Sequence, residues 1–223
     1  MSDDQFGARV FIPAGSVSLE GVLHLPSAAA GVVIFSHGSG SGRLSPRNRY
    51  VASQLQTAGL GTLLLDLLTE EEDRDYEMRF DIDFLTRRLA CAVQFAGNNA
   101  VTNTLPIGLF GASTGAASAL RVAAAMPDSI AAVVSRGGRP DLTGYENLAQ
   151  VRAPTLLIVG GLDTDVIELN KSAQAGLVNC ECELRIVPGA SHLFEEQGTL
   201  EEVARLSGDW FVRHLTSRAD ANG

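Results

Sequence analysis

Apolar residues follow two rhythms along this chain. Residues 32–35, Val-Val-Ile-Phe, form an unbroken apolar run, and similar runs recur within 61–68, 105–110, 130–134 and 155–159. Runs of that kind predict strands buried on both faces of a parallel sheet. Between them, Ile82, Leu85, Leu89 and Val93 return at helical spacing within 80–96. Segments 46–58, 116–126, 166–177 and 200–215 also predict helices, the first with Ser45 as cap, Pro46 at the first position and Gly59 as stop. Residues 9–12 and 17–25 differ. They predict two antiparallel strands around Pro13-Ala14-Gly15, with Val17, Leu19, Gly21, Leu23 and Leu25 sharing one side. The last predicted strand is 182–187. Strands alternating with helices predict an α/β fold with a mostly parallel sheet. No repeat or low-complexity tract interrupts the pattern. One domain over 1–223 is expected, with flexible tails at 1–8 and 217–223.

Composition narrows the function. The 223 residues are 45% hydrophobic and 19% charged, which suits one large core. A net charge of −9 disfavours nucleic acid and anionic membranes as partners. Cys91, Cys180 and Cys182 make no disulfide framework, and the Cys-x-Cys pair lacks the companions of a zinc site. No metal or other cofactor is expected. The N-terminal segment is acidic and polar, without a signal-peptide pattern. No apolar stretch approaches the ~18 residues that span a bilayer. These features predict a cytoplasmic protein. The acidic segment 69–75 (Glu70, Glu71, Glu72, Asp73) is expected to be a solvated loop.

The chemistry centres on Gly111-Ala112-Ser113-Thr114-Gly115, which lies between a predicted strand and a predicted helix. A serine on such a turn projects its hydroxyl clear of the sheet, and the flanking glycines relieve the crowding of so sharp a turn. In an open parallel sheet, ligands bind beyond the carboxyl ends of the strands. Asp163 and His192 follow predicted strands in the same way, so serine, acid and histidine appear in the chain order of an α/β-hydrolase triad. A serine hydroxyl needs an adjacent base, histidine can serve near neutral pH, and a carboxylate fixes the imidazole tautomer. Ser113 is thus the expected nucleophile, His192 the base and Asp163 the orienting acid. Asp165 competes for the acid's role but suits a helix cap or first turn better. The expected oxyanion donors are the backbone N–H groups of Thr114 and Ser39, the latter in the loop His37-Gly38-Ser39-Gly40. Arg43, Arg47, Arg49, Arg136 and Arg139 cluster near the expected mouth. Arg43 and Arg136, together with His37, are candidate substrate-binding residues, and the arginine fork suits a carboxylate.

With these segments in hand, the chain resembles the α/β-hydrolase superfamily, and within it the small dienelactone-hydrolase-like members. His37-Gly38-Ser39-Gly40, the serine pentapeptide, Gly160-Gly161-Leu162-Asp163 and Pro188-Gly189-Ala190-Ser191-His192-Leu193-Phe194 carry the resemblance, in family order. It implies a mostly parallel sheet of eight strands and a serine-type hydrolytic triad. Dienelactone hydrolases proper use a cysteine nucleophile, whereas this chain has Ser113, which favours esterase-like chemistry on a carboxylic ester or lactone. Superfamily members often insert a lid between the strands at Ile130 and Thr155. Here there is room only for a small helix around 145–150, so no large lid is expected. Two other readings stay open: a non-catalytic binding protein on the same fold, which would bind without turnover, and a serine amidase or peptidase.

Overall fold

The computed structural model describes residues 7–219. Eight strands form one sheet: β1 (Ala8–Ala14), β2 (Val17–His24), β3 (Val32–Ser36), β4 (Gly61–Leu65), β5 (Ile107–Ala112), β6 (Ile130–Arg136), β7 (Thr155–Gly160) and β8 (Cys182–Val187). Their spatial order is β1-β2-β4-β3-β5-β6-β7-β8. β2 runs antiparallel to both β1 and β4, and every other neighbouring pair is parallel. The helices are α1 (Pro46–Thr57), α2 (Ile82–Asn98), α3 (Thr114–Ala125), the four-residue α4 (Tyr145–Leu148), α5 (Thr164–Gly176) and α6 (Thr199–Ala219).

The unbroken apolar runs have a direct cause. All residues of β3 through β7 are buried, because helices cover both faces of the sheet. Alternation along each strand divides them between two cores. Ile34, Leu63, Leu109, Val133 and Leu157 meet Leu85 and Leu89 of α2 and Leu120 of α3 on one face. Phe35, Leu64, Phe110, Val134 and Ile158 meet Val51 and Leu55 of α1 and Phe211 and Leu215 of α6 on the other.

The chain passes from β3 to β4 on one side, then returns to place β5 on the other side of β3. The connections after β3 and β5 therefore diverge at a topological switch point, where α/β sheets open a crevice. Ser113 directly follows β5 there.

Three details depart from the sequence expectation. β4 ends at Leu65, three residues early, because Asp66 turns away to hold Arg43. The acidic segment is not wholly solvated: Glu72 accepts from the buried Arg88 at 2.5 Å and from Thr69 N–H at 2.8 Å. Of the expected tails, Ala8 already opens β1 and α6 continues to Ala219; residues 1–6 and 220–223 lie outside the described residues. Between β6 and β7 lie only a short 3-10 turn, Pro140–Thr143, and α4, in keeping with the absence of a large lid. Among the described residues no helix is long and apolar enough to cross a membrane.

Candidate active site

Ser113 occupies a backbone conformation that side chains avoid, with φ 51° and ψ −121°. Such a residue costs about 1–3 kcal/mol and persists only where its surroundings enforce it. The end of β6 and the turn after it supply that enforcement. Ser113 N–H donates to Arg136 C=O at 3.1 Å, and Ser113 C=O accepts from Arg139 N–H at 3.1 Å. The flanking glycines are required by contact. A Cβ on Gly111 would lie 2.4 Å from Ala116 Cα, and one on Gly115 would lie 2.2 Å from Ser36 O. Ser113 stands at the N-cap of α3, yet its hydroxyl makes no capping bond. A serine there ordinarily spends its oxygen on a helix N–H. This one keeps it available.

The acid and the histidine meet two strands away. His192 Nδ1 lies 2.6 Å from Asp163 Oδ2. Their turns are zipped together: Gly161 N–H donates to Val187 O at 2.8 Å and Leu162 N–H to Ala190 O at 2.9 Å. Asp163 is the N-cap of α5 and likewise makes no capping bond, its carboxylate being directed to the imidazole. Since a carboxylate only accepts, Nδ1 carries a proton, which leaves the lone pair of the neutral ring on Nε2. Gly137, just past β6, has φ 50° and packs against the histidine turn: a Cβ there would be 3.1 Å from His192 O. Asp165, the rival acid, sits exposed in the first turn of α5.

The loop after β3 runs over the serine. A Cβ on Gly38 would lie 3.1 Å from Ser113 Cβ. Ser39 N–H donates to Thr114 Oγ1 at 3.0 Å, so this expected oxyanion donor already has a partner on the chain. The N–H of Thr114 is the first of α3, with no helical carbonyl beneath it.

No protein-family model matches the chain. A dienelactone hydrolase from Anabaena variabilis of known structure is 51% identical, with 93% of this chain and 97% of that one aligned at a TM-score of 0.90. The chain belongs to the dienelactone-hydrolase family. Est1E from Butyrivibrio proteoclasticus (16% identity, 94% and 99% of the two chains, TM-score 0.80) and an esterase from Pyrococcus furiosus (18%, 96% and 96%, TM-score 0.74) share the fold. Proteins from two strains of Mycobacterium tuberculosis, each provisionally named a phosphoribosyl transferase, are 54% identical over 207 residues, covering 93% of this chain and 46% of theirs. The chain thus spans about half the length of those curated relatives.

In this dienelactone-hydrolase family member the remaining candidate residues divide sharply. His37 is buried, and Leu67 N–H donates to its Nε2 at 2.9 Å. The proton therefore resides on Nδ1, which reaches Gly38 O at 3.0 Å. The ring thus bridges the loop after β3 to the segment after β4, and burial lowers its pKa below the ordinary value. Arg43 is spent too. Its guanidinium pairs with Asp66 and, at 2.7 Å, with Glu20, bracing the same loop. At these two positions, where substrate binding was expected, the contacts made are to the chain itself.

Arg136 is different. It is 8% exposed, its Nε and Nη1 have no hydrogen-bond partner among the described residues, and it lies on the α1 and α6 face of β6, in line with Ala132 and Val134. Burial, with the neighbouring Arg47, pulls its pKa down to about 10, so it stays cationic at neutral pH. Arg47 itself reaches Glu195 at 3.0 Å, three residues past His192.

Two contributors had weak sequence signals. Phe194 takes φ 55°, with its ring buried in the α1 and α6 core, and so fixes the end of the histidine turn. Nothing in its residue type announces a left-handed backbone. Asn170, mid-helix in α5, donates from Nδ2 to Gly138 O at 3.1 Å and ties that helix to the turn after β6. A buried asparagine on an otherwise apolar face was the available clue.

Proposed function

We propose that this protein is a serine hydrolase acting on a carboxylic ester or lactone. The observation that carries the reading is the 2.6 Å Asp163–His192 contact on the same sheet edge as a strained Ser113 whose hydroxyl caps nothing. In the proposed reaction, Ser113 Oγ attacks the carbonyl carbon while His192 Nε2 takes its proton. The tetrahedral oxyanion is held at the start of α3, where N–H groups and the helix dipole favour negative charge. The C–O bond to the leaving alcohol breaks as His192 returns the proton to that oxygen. Water, deprotonated by the same histidine, then attacks the acyl-serine and releases the acid, and Ser113 recovers its proton. Asp163 fixes the tautomer and stabilises the imidazolium.

Turnover of a short-chain chromogenic ester by the wild type and by Ser113→Ala is the test. A loss of about 10³-fold or more in kcat is expected, with a fluorophosphonate labelling the wild type at Ser113. Full activity in the variant overturns the reading. This chain covers 46% of the relatives provisionally named phosphoribosyl transferases, so their name does not carry over to it.

The unpartnered guanidinium of Arg136 supports a substrate that carries a carboxylate. A buried cation without a counter-ion is costly, and a substrate anion would supply one. Matched neutral and carboxylate-bearing esters compared in wild type and Arg136→Met check this. A charge-assisted hydrogen bond is worth about 1.5–3 kcal/mol. The variant should lose about 10- to 100-fold in kcat/KM for the anionic ester alone, and equal losses for both esters would count against it.

A further inference from the structure

The bond between Ser39 and Thr114 changes the expected oxyanion site. An N–H group can only donate, so in the 3.0 Å contact Thr114 Oγ1 is the acceptor. The hydroxyl therefore retains its own proton, and among the described residues that proton meets no acceptor. Thr114 is 4% exposed, so bulk water reaches it little. The position is specific. Gly38 comes within 3.1 Å of Ser113 Cβ, measured from the point where its own Cβ would stand, and the next residue of the same loop is bonded to the side chain that follows the serine. The hydroxyl thus lies in the seam between the loop and the elbow. A carbonyl attacked by Ser113 would direct its oxygen into that seam.

We infer that Thr114 Oγ1–H donates directly to the developing oxyanion, while Ser39 N–H stands behind it as polariser. A hydroxyl that accepts one hydrogen bond becomes a stronger donor of the next. The site then takes two donors from one residue, the N–H and the hydroxyl of Thr114, and the loop after β3 orients the second. This rests on the serine-hydrolase reading. It departs from the simpler arrangement in which Ser39 N–H contacts the substrate itself and the threonine only fills the space.

The two arrangements differ in sign. Thr114→Val keeps the shape of the side chain and removes the hydroxyl. If the hydroxyl is the donor, kcat falls by about 10²-fold, the usual loss for one oxyanion donor, with KM within about twofold. Thr114→Ser should recover most of the rate. The affinity for an aryl trifluoromethyl ketone, which adds Ser113 reversibly and mimics the oxyanion, should fall in Thr114→Val by a similar factor. If Ser39 N–H is the true donor, Thr114→Val releases it, and kcat and ketone affinity hold or rise. That result overturns the inference while leaving the hydrolase intact. A wild-type chain that neither turns over esters nor takes a fluorophosphonate at Ser113 removes the hydrolase reading, and this inference with it. Should Thr114→Val lose the native circular-dichroism spectrum, Thr114→Ala carries the same comparison.

Discussion

At the scale of single residues, the site is distinguished by polar groups withheld from their ordinary structural work. Ser113 and Asp163 both occupy N-cap positions and neither caps. Capping is worth about 1 kcal/mol, and each helix forgoes it. The two acids of the β7–α5 turn separate on this basis. Asp163 gives its carboxylate to His192, whereas Asp165 remains in solvent at the positive end of α5. Asp163→Asn keeps the shape but can present an amide N–H to Nδ1 and so favour the wrong tautomer. It should lower kcat by up to about 10⁴-fold. Asp165→Asn should stay within about twofold. Steady-state kinetics of both variants on one ester decide the assignment, and a reversed order of effects would transfer the role to Asp165.

At the scale of elements, the sequence spoke clearly wherever burial was two-sided. The strands of the central sheet and the five longer helices followed the apolar rhythm, with ends displaced by a few residues. The Gly-x-Ser-x-Gly elbow was legible because steric need and residue type coincide there. Two kinds of feature stayed hidden. Long-range polar pairing was one: whether His37 and Arg43 faced a substrate or braced a loop depended on Leu67, Asp66 and Glu20, which only the folded sheet brings near. Backbone strain in a bulky residue, as at Phe194, was the other. The glycines offer an internal control on what the elbow demands. Gly115 would clash with backbone at 2.2 Å, whereas Gly189 has φ 71° and open space around it. Gly189→Ala should cost only the left-handed strain, about 1–2 kcal/mol. Gly115→Ala must displace β3 or α3 and should cost about 3 kcal/mol or more. Denaturant titrations of the two variants give the comparison, and equal losses would mean that the elbow relaxes freely.

At the scale of the whole molecule, one sheet separates two cores, and its acid sensitivity should arise from both. His37 opens the loop after β3, and burial lowers its pKa from 6.5. His214 packs at a tilt against Trp210 with ring centroids 4.4 Å apart, and desolvation lowers its pKa as well. In the unfolded chain each histidine binds a proton near 6.5, while in the folded chain each resists it to lower pH. Between those values the unfolded state holds more protons, so stability is fully present above 6.5 and declines as the pH falls through the lowered pKa values. Glu196 and Glu202, both held below their ordinary 4.5, act with the same sign but only at lower pH. A first loss of stability between pH 7 and 5 therefore belongs to the histidines. His214→Phe, which keeps an aromatic ring against Trp210, should remove part of it. Trp210 is the only tryptophan and reports the α1 and α6 core, whereas far-ultraviolet circular dichroism reports all the helices. Because every strand from β3 to β7 contributes to both cores, the two probes should give coincident thermal transitions whose midpoints fall together with pH. A tryptophan transition that moved alone would show that the two faces unfold separately, and would assign the acid sensitivity to the His214 side.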